Sequence, residues 1–185
     1  MTPFDTALAF TLAEEGGFSD REDDPGGATN KGITLATFRE YQPGATVDEL
    51  RAISDADVWR IYRLGYWNRM RCGDLPAGVG LSVFDFGVNA GPVPSALMLQ
   101  WASGLSGDDV DGVVGPRTIA AANRRAPAIL IDTLAAMQAA HYRRLADFPT
   151  FGGGWMARTT RRRAAALAAA DVYEPAPGGI PVSQE

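Results

Sequence analysis

The residues best suited to acid–base chemistry lie close together near the N-terminus. Glu14 and Glu15 are followed directly by two glycines, and a second motif, Asp-Pro-Gly-Gly-Ala-Thr, runs from Asp24 to Thr29. Acid–base catalysis can use two carboxyl groups in unlike surroundings, one held protonated in an apolar setting and one ionised in a polar setting. The sequence predicts both settings here, at the end of an apolar helix and in a polar loop.

Helix phase distinguishes the two glutamates. Thr2 and Pro3 match an N-cap followed by proline at the first helical position, which predicts a helix over residues 3–15 that ends at the glycines. At ~100° per residue, the large apolar side chains of this helix average to a direction within roughly 10° of Glu15, whereas Glu14 points roughly 110° away. These side chains are Phe4, Leu8, Phe10 and Leu12. Burial beside them favours a neutral carboxyl group, so Glu15 is the candidate acid.

The polar loop supplies candidates for the second carboxylate. Asp24 lies in a glycine-rich turn, so we expect it to stay ionised and to stabilise positive charge or position water. Glu22 and Asp23 are alternatives for this role. The hydroxyl groups of Thr29 and Thr34 can hold water or sugar, while Thr34 also fits the N-cap of the next helix.

The elements that position these residues are predicted to be mainly α-helical. Few strand signals occur, and the loop over residues 19–32 is expected to form a small β-hairpin or an irregular ordered segment. Further helices are expected near residues 35–41, 47–52, 55–66, 81–89, 96–101, 116–123, 128–145 and 155–170.

Two polar residues interrupt the apolar segment over residues 81–89. Asp85 and Asn89 are four apart and therefore lie on one helix face. A buried polar pair has to be hydrogen-bonded. Two interpretations stay open: the pair braces the core, or it orients groups around the site and binds substrate.

Composition excludes several classes of protein. The net charge of −5 argues against a nucleic-acid binder. His141 is the single histidine, which removes most zinc-hydrolase schemes, and we expect neither a metal nor an organic cofactor. Cys72 is the single cysteine, so a cysteine peptidase would have to use a Cys72–His141 pair, an alternative that Cys72→Ser tests.

Membrane and export signals are also missing from the sequence. No apolar run reaches the ~20 residues of a membrane span. No basic segment followed by an apolar core opens the chain, so we expect no secretory signal peptide.

Together these motifs resemble a known family. Residues 15–18, 24–29 and 32–34 are similar to the N-terminal signature of glycoside hydrolase family 108, the phage-type N-acetylmuramidases. Several downstream motifs are similar to the companion peptidoglycan-binding region: Phe84-Asp85-Phe86, Asn89-Ala90-Gly91, Leu99-Gln100, Asp111-Gly112 through Thr118, and Phe151-Gly152 with Gly154-Trp155.

The resemblance implies a lysozyme-like helical fold in two parts. Residues 1–92 are the predicted muramidase region, and residues 93–172 are a helical peptidoglycan-binding-like region packed on it. The Pro- and Gly-rich composition of residues 173–185 predicts a disordered tail. The implied reaction is cleavage of the β-1,4 bond between N-acetylmuramic acid and N-acetylglucosamine in bacterial peptidoglycan. The implied proton donor is Glu15, with Asp24 and Thr29 as catalytic partners. From the chemistry of their side chains, Thr34, Asp85 and Asn89 are the candidates for binding substrate.

Other functions stay open at this point. A lytic transglycosylase would use the same Glu15 and leave a 1,6-anhydro end, and a wall-binding or phage-particle protein would cleave nothing. The arginines at 158 and 161–163 are interpreted as a solvated helix face rather than a patch for anionic wall polymer. We expect synthesis in the cytoplasm, followed by holin-assisted release or carriage on a phage-derived particle.

Overall fold

The computed structural model describes residues 1–20 and 27–173. The predicted catalytic Asp24 and its alternatives Glu22 and Asp23 lie outside the described residues. So does almost all of the predicted tail, from residue 174 onward.

The described residues form nine α-helices and one two-stranded sheet, which confirms the predicted mainly α fold with a small β-hairpin after the first helix. The helices are α1 (Pro3–Glu14), α2 (Leu35–Tyr41), α3 (Val47–Arg51), α4 (Asp55–Tyr62), α5 (Val79–Ala90), α6 (Pro92–Ala102), α7 (Pro116–Asn123), α8 (Pro127–Tyr142) and α9 (Phe148–Tyr173). The strands are β1 (Thr29–Asn30) and β2 (Ile33–Thr34), and α4 continues as a π-helix over Arg63–Asn68. No described helix has the length and apolar character required to cross a membrane.

Local chemistry defines both ends of α1. The Thr2 hydroxyl accepts a hydrogen bond from the Asp5 N–H at 3.2 Å, and the Asp5 carboxylate accepts one from the Thr2 N–H at 2.9 Å. This capping box satisfies N–H groups that a helix start leaves unpaired. At the other end the helix stops at Glu14, one residue earlier than predicted, because Glu15 is extended (φ −86°, ψ 148°). Glu15 still caps the helix through its N–H, which donates to the Thr11 carbonyl.

The hairpin has a two-residue turn. Thr29 pairs with Thr34 and Asn30 with Ile33, which leaves Lys31 and Gly32 at the tip with φ values of 50° and 74°. Positive φ at both central residues is the arrangement of a type I′ turn, which matches the twist of paired strands. The Asn30 amide donates to the carbonyls of Leu50 and Arg51, each at 3.0 Å, and so anchors the hairpin to α3.

Helix α5 is the centre of the fold. Every residue from Val79 to Gly87 is buried, and α1, α6, α8 and α9 pack around it. On its α1 side, the rings of Phe4, Trp67 and Phe84 meet edge to face, with centroids 5.3–5.8 Å apart. Because α1 and α9 both pack on α5 and on each other, the last helix reaches the end of the first one.

Candidate active site

Glu15 is placed where α1 ends. Its side chain is 19% exposed, so it is largely enclosed and still reaches the surface. The carboxylate Oε1 lies 2.9 Å from Nη1 of Arg158 on α9. The apolar setting predicted for this carboxyl group is therefore incomplete, because a guanidinium group forms one side of it.

Arg158 is held on its other side by Asp85. Its Nε and Nη2 atoms donate to the Asp85 carboxylate at 3.1 and 2.7 Å, a bidentate pairing that sets the orientation of the guanidinium plane. Arg162 Nη1 donates to the same carboxylate at 2.8 Å, and the Thr11 hydroxyl donates to it at 2.9 Å. Asp85 thereby links α1, α5 and α9.

The Asp85 carboxylate is ionised despite complete burial. Burial by itself raises the pKa of this group, but the hydrogen bonds and charges of Arg158 and Arg162, with the Thr11 hydroxyl, outweigh it and hold the pKa below its ordinary value. Two carboxylates, Glu15 and Asp85, thus face two guanidinium groups. Removing one member of such a buried set leaves another charge without a partner, which is strongly destabilising.

The tip of the hairpin packs directly on Glu15. A Cβ atom placed on Gly32 would lie 2.9 Å from both Cγ and Cδ of Glu15 and 2.6 Å from the Tyr62 hydroxyl oxygen. The Tyr62 hydroxyl donates to the Lys31 carbonyl at 2.8 Å and ties the tip to α4. Glycine is needed at position 32 for its positive φ and for this close approach.

Two tyrosines lie within the field of the Glu15 carboxylate. Burial raises the pKa of Tyr62 well above its ordinary value, and the negative charge of Glu15 adds to the effect. Burial also raises the pKa of Tyr66, followed by smaller contributions from Tyr41, Glu40 and Glu15. Both hydroxyl groups therefore remain protonated at neutral pH.

Glu14 has a separate partner. Both of its carboxylate oxygens accept hydrogen bonds of 2.6 Å from Arg161, and this pairing holds the pKa of Glu14 below its ordinary value. The Arg161 side chain is 56% exposed, in contrast to the enclosed Arg158 one turn earlier on α9. The two neighbouring glutamates thus have different partners. Arg158, the partner of Glu15, also binds the buried Asp85, whereas Arg161, the partner of Glu14, lies at the surface.

The predicted substrate residues have different surroundings. Asp85 is fully buried, so it braces the core and orients Arg158 beside Glu15, and the predicted contact of Asp85 with substrate has no support in the geometry. Asn89 is exposed and accepts a hydrogen bond from Tyr142 at 2.7 Å. Thr34 caps α2 by accepting from the Thr37 N–H at 3.1 Å.

Thr29, predicted as a catalytic partner, lies in β1. Its N–H donates to the Ser19 carbonyl and its carbonyl accepts from the Ser19 N–H, so its backbone is clamped to the chain just after α1. It pairs with Thr34 across the hairpin. The structure therefore fixes the Thr29 backbone beside the segment that follows Glu15.

Sequence reasoning missed the two buried arginines of α9. Arg158 and Arg162 were assigned to a solvated face, yet both are buried, while Arg161 and Arg163 pair at the surface with Glu14 and Asp132. A signal was present in their spacing. Arg158 and Arg162 are followed at the same interval of four by Ala166 and Ala170, which are also buried and mark the inner face of the helix.

The Cys72–His141 alternative has no support in the geometry. Cys72 is buried beside Trp67 and Gly80, and burial raises the pKa of its thiol far above the ordinary value. His141 packs edge-on against Phe86, with ring centroids 5.6 Å apart. A nucleophilic cysteine needs an accessible thiolate with a nearby base, and Cys72 provides neither.

The segment from Asp111 to Thr118 has a structural role. Gln100 on α6 donates to the Asp111 carboxylate at 2.7 Å and to the Thr118 hydroxyl at 3.2 Å, and it accepts from the Gly112 N–H at 3.0 Å. One buried amide therefore holds this turn against α6.

An apolar cavity of about 360 Å³ lies at the opposite end of α1 from Glu15. Pro3, Trp67, Leu75, Leu81 and Ala169 contribute to its lining, and Glu15 does not.

Comparison with known proteins identifies two matched segments. Residues 8–91 match the family model described as glycosyl hydrolase 108, and residues 94–160 match the one described as a predicted peptidoglycan domain. The search of curated proteins found no match. Among solved structures, SagA of Brucella abortus is similar at 39% sequence identity and a TM-score of 0.81, over 90% of this chain and 95% of that chain. Arg158 belongs to the second matched segment, whereas its partner Glu15 belongs to the first.

Proposed function

We propose that this chain, which belongs to the glycosyl hydrolase 108 family, cleaves the β-1,4 bond between N-acetylmuramic acid and N-acetylglucosamine with Glu15 as proton donor. Family membership makes the chain a glycoside hydrolase that acts on peptidoglycan. The identity of the cleaved bond and the roles of the individual residues are what is proposed here.

The observation that carries the assignment of Glu15 is its contact with the hairpin tip on one side and with the anchored Arg158 on the other. Exposure alone does not separate the two glutamates, since Glu14 is 11% exposed and pairs with the surface residue Arg161. The side chain lies at the end of α1 between Gly32 of the hairpin and Arg158 of α9, and it keeps enough exposure to meet a substrate. A proton donor has to be held in one geometry while it remains accessible to the leaving oxygen.

In the proposed reaction the Glu15 carboxyl group transfers its proton to the glycosidic oxygen. The bond between that oxygen and the anomeric carbon of N-acetylmuramic acid breaks, and the electron pair of the bond stays on the departing oxygen. A water molecule supplies the new bond to the anomeric carbon. The proton that this water loses passes to a carboxylate or to solvent, and Glu15 regains its own proton from solvent.

Asp24 is the proposed ionised partner, and Thr29 is proposed to orient water. Support for Asp24 comes from the resemblance of its motif to the family signature. Support for Thr29 is its clamped backbone beside the segment that follows Glu15. Thr34 and Asn89 are proposed to contact the glycan. Asn89 is exposed and Thr34 is half-buried, so both side chains reach the surface.

The test is Glu15→Gln, with Glu14→Gln as the matched control, assayed on purified peptidoglycan. We expect Glu15→Gln to abolish release of reducing ends while circular dichroism stays unchanged, because glutamine keeps the shape and lacks the proton. Glu14→Gln should keep most activity. Retained cleavage in Glu15→Gln would remove the assignment.

Mass spectrometry of the products identifies the reaction class. Hydrolysis leaves reducible muramic acid ends, whereas a lytic transglycosylase leaves 1,6-anhydro ends with the same requirement for Glu15. If neither kind of glycan end is released and the protein sediments with cell walls, the protein binds the wall without cleaving it.

Delivery to the wall is a separate part of the proposal. The resemblance to phage-type enzymes favours holin-assisted release or carriage on a phage-derived particle. Lysis that depends on a co-expressed holin would support the first route, and co-purification with particles would support the second.

A further inference from the structure

We propose that Arg158 is a positioning residue for the proton donor, so that the segment matched as a peptidoglycan domain supplies part of the catalytic site. The inference rests on the proposed role of Glu15. It concerns α9, which lies outside the segment matched as a hydrolase, and the way α9 holds the reacting carboxyl group.

All three guanidinium nitrogens of Arg158 are engaged by carboxylates. Nη1 contacts Glu15 at 2.9 Å, while Nε and Nη2 contact Asp85 at 3.1 and 2.7 Å. Asp85 is itself fixed by Arg162 and Thr11. Arg158 therefore connects the carboxyl group of Glu15 to a fully buried anchor.

The backbone of Glu15 is held by its N–H, which donates to the Thr11 carbonyl at 3.1 Å. The carboxyl group, at the end of the side chain, is positioned by Gly32 on one side and Arg158 on the other. A displacement of about 1 Å at a reacting group can lower a rate on the order of 100-fold.

Arg158 also sets the charge around Glu15. Among the described residues, Arg158 from α9 contacts this carboxyl group, and the neutral Tyr62 and Tyr66 lie near it on α4 and its π-helical continuation. The Glu14–Arg161 pair lies one helical turn away along α9 and balances its own charge.

Removal of the guanidinium should therefore lower kcat in the folded protein. A purely structural role would lower stability and leave kcat per folded molecule unchanged.

The experiment compares Arg158→Gln, Arg158→Lys and the control Arg161→Gln on soluble glycan strands from purified peptidoglycan. For Arg158→Gln we expect kcat to fall about 10- to 100-fold. KM should change little, because the nearly buried Arg158 is engaged by carboxylates. Arg158→Lys should recover part of this loss and lower kcat about tenfold, because an ammonium group keeps the charge and lacks the bidentate fork.

The outcomes are distinct. If Arg158→Gln does not fold, Arg158→Lys decides, and a wild-type kcat in that variant would overturn the inference. Loss of activity in Glu15→Gln together with an Arg158→Gln kcat equal to that of Arg161→Gln would overturn the role of Arg158 and leave the proposed function in place. Full activity in Glu15→Gln would overturn the proposed function itself.

Discussion

Nη1 of Arg158 lies 2.9 Å from Oε1 of Glu15, so the first and the last helix of the fold meet at the candidate acid. The contact joins the two segments matched by separate family models. Around it, the hairpin tip and the buried Asp85 restrict the carboxyl group from two further directions. Each restriction leads to a measurable expectation.

Gly32→Ala should impair both stability and activity. Alanine at φ +74° costs about 1–2 kcal/mol in unfolding free energy. Its methyl group would also displace the Glu15 side chain. Chemical denaturation and peptidoglycan cleavage assays measure the two effects.

Gly44→Ala is the matched control, since Gly44 has φ +81° and open space where a Cβ atom would lie. It should show a similar loss of stability with normal activity. Equal activity in the two variants would contradict the claim that the hairpin tip positions Glu15.

Tyr62→Phe should loosen the hairpin tip. The hydroxyl donates to the Lys31 carbonyl at 2.8 Å, and loss of one such hydrogen bond costs about 0.5–1.5 kcal/mol. We expect a moderate fall in cleavage rate as well, because Gly32 adjoins both Tyr62 and Glu15. Ser95→Ala, which removes a buried hydrogen bond to the Val83 carbonyl, should lower stability similarly and leave activity unchanged.

Asp85→Asn should be strongly destabilising. It removes the charge that Arg158 and Arg162 share in the interior, and breaking a buried ion pair costs about 3–5 kcal/mol. The control is Asp132→Asn. Asp132 on α8 is the half-exposed partner of Arg163, which lies on α9 like Arg158 and Arg162, and its loss should cost about 1 kcal/mol or less. Urea titrations of both variants measure the difference, and comparable losses would contradict the importance of burial.

Stability should fall in acid because of the same carboxylate. The pKa of Asp85 is lower in the folded than in the unfolded chain, so its contribution is complete above the unfolded value of about 3.9 and is lost as the pH falls through the folded value. Glu14 acts in the same direction. Unfolding free energy measured between pH 7 and pH 2 should therefore decrease more steeply in the wild type than in Asp85→Asn.

Local elements were largely predictable from the sequence. Thr2 with Asp5 and Thr46 with Glu49 form capping boxes, because these contacts join residues three positions apart. The hairpin turn at Lys31–Gly32 was not predicted, because the glycine-rich turn around Asp24 was the stronger local signal. The end of α1 differed by one residue, since Glu15 takes an extended conformation before the glycines.

The sequence by itself determined that the chain is mainly helical, that a small hairpin or an irregular loop follows α1, and that Glu15 is the candidate acid. Only the tertiary structure decided what surrounds that acid. Arg158, Asp85 and Gly32 are far apart along the chain, and neither helix phase nor capping relates them. Their contacts depend on how α9 and the hairpin pack against α1 and α5. The buried charges of Arg158 and Asp85 are tolerable because that packing brings them together.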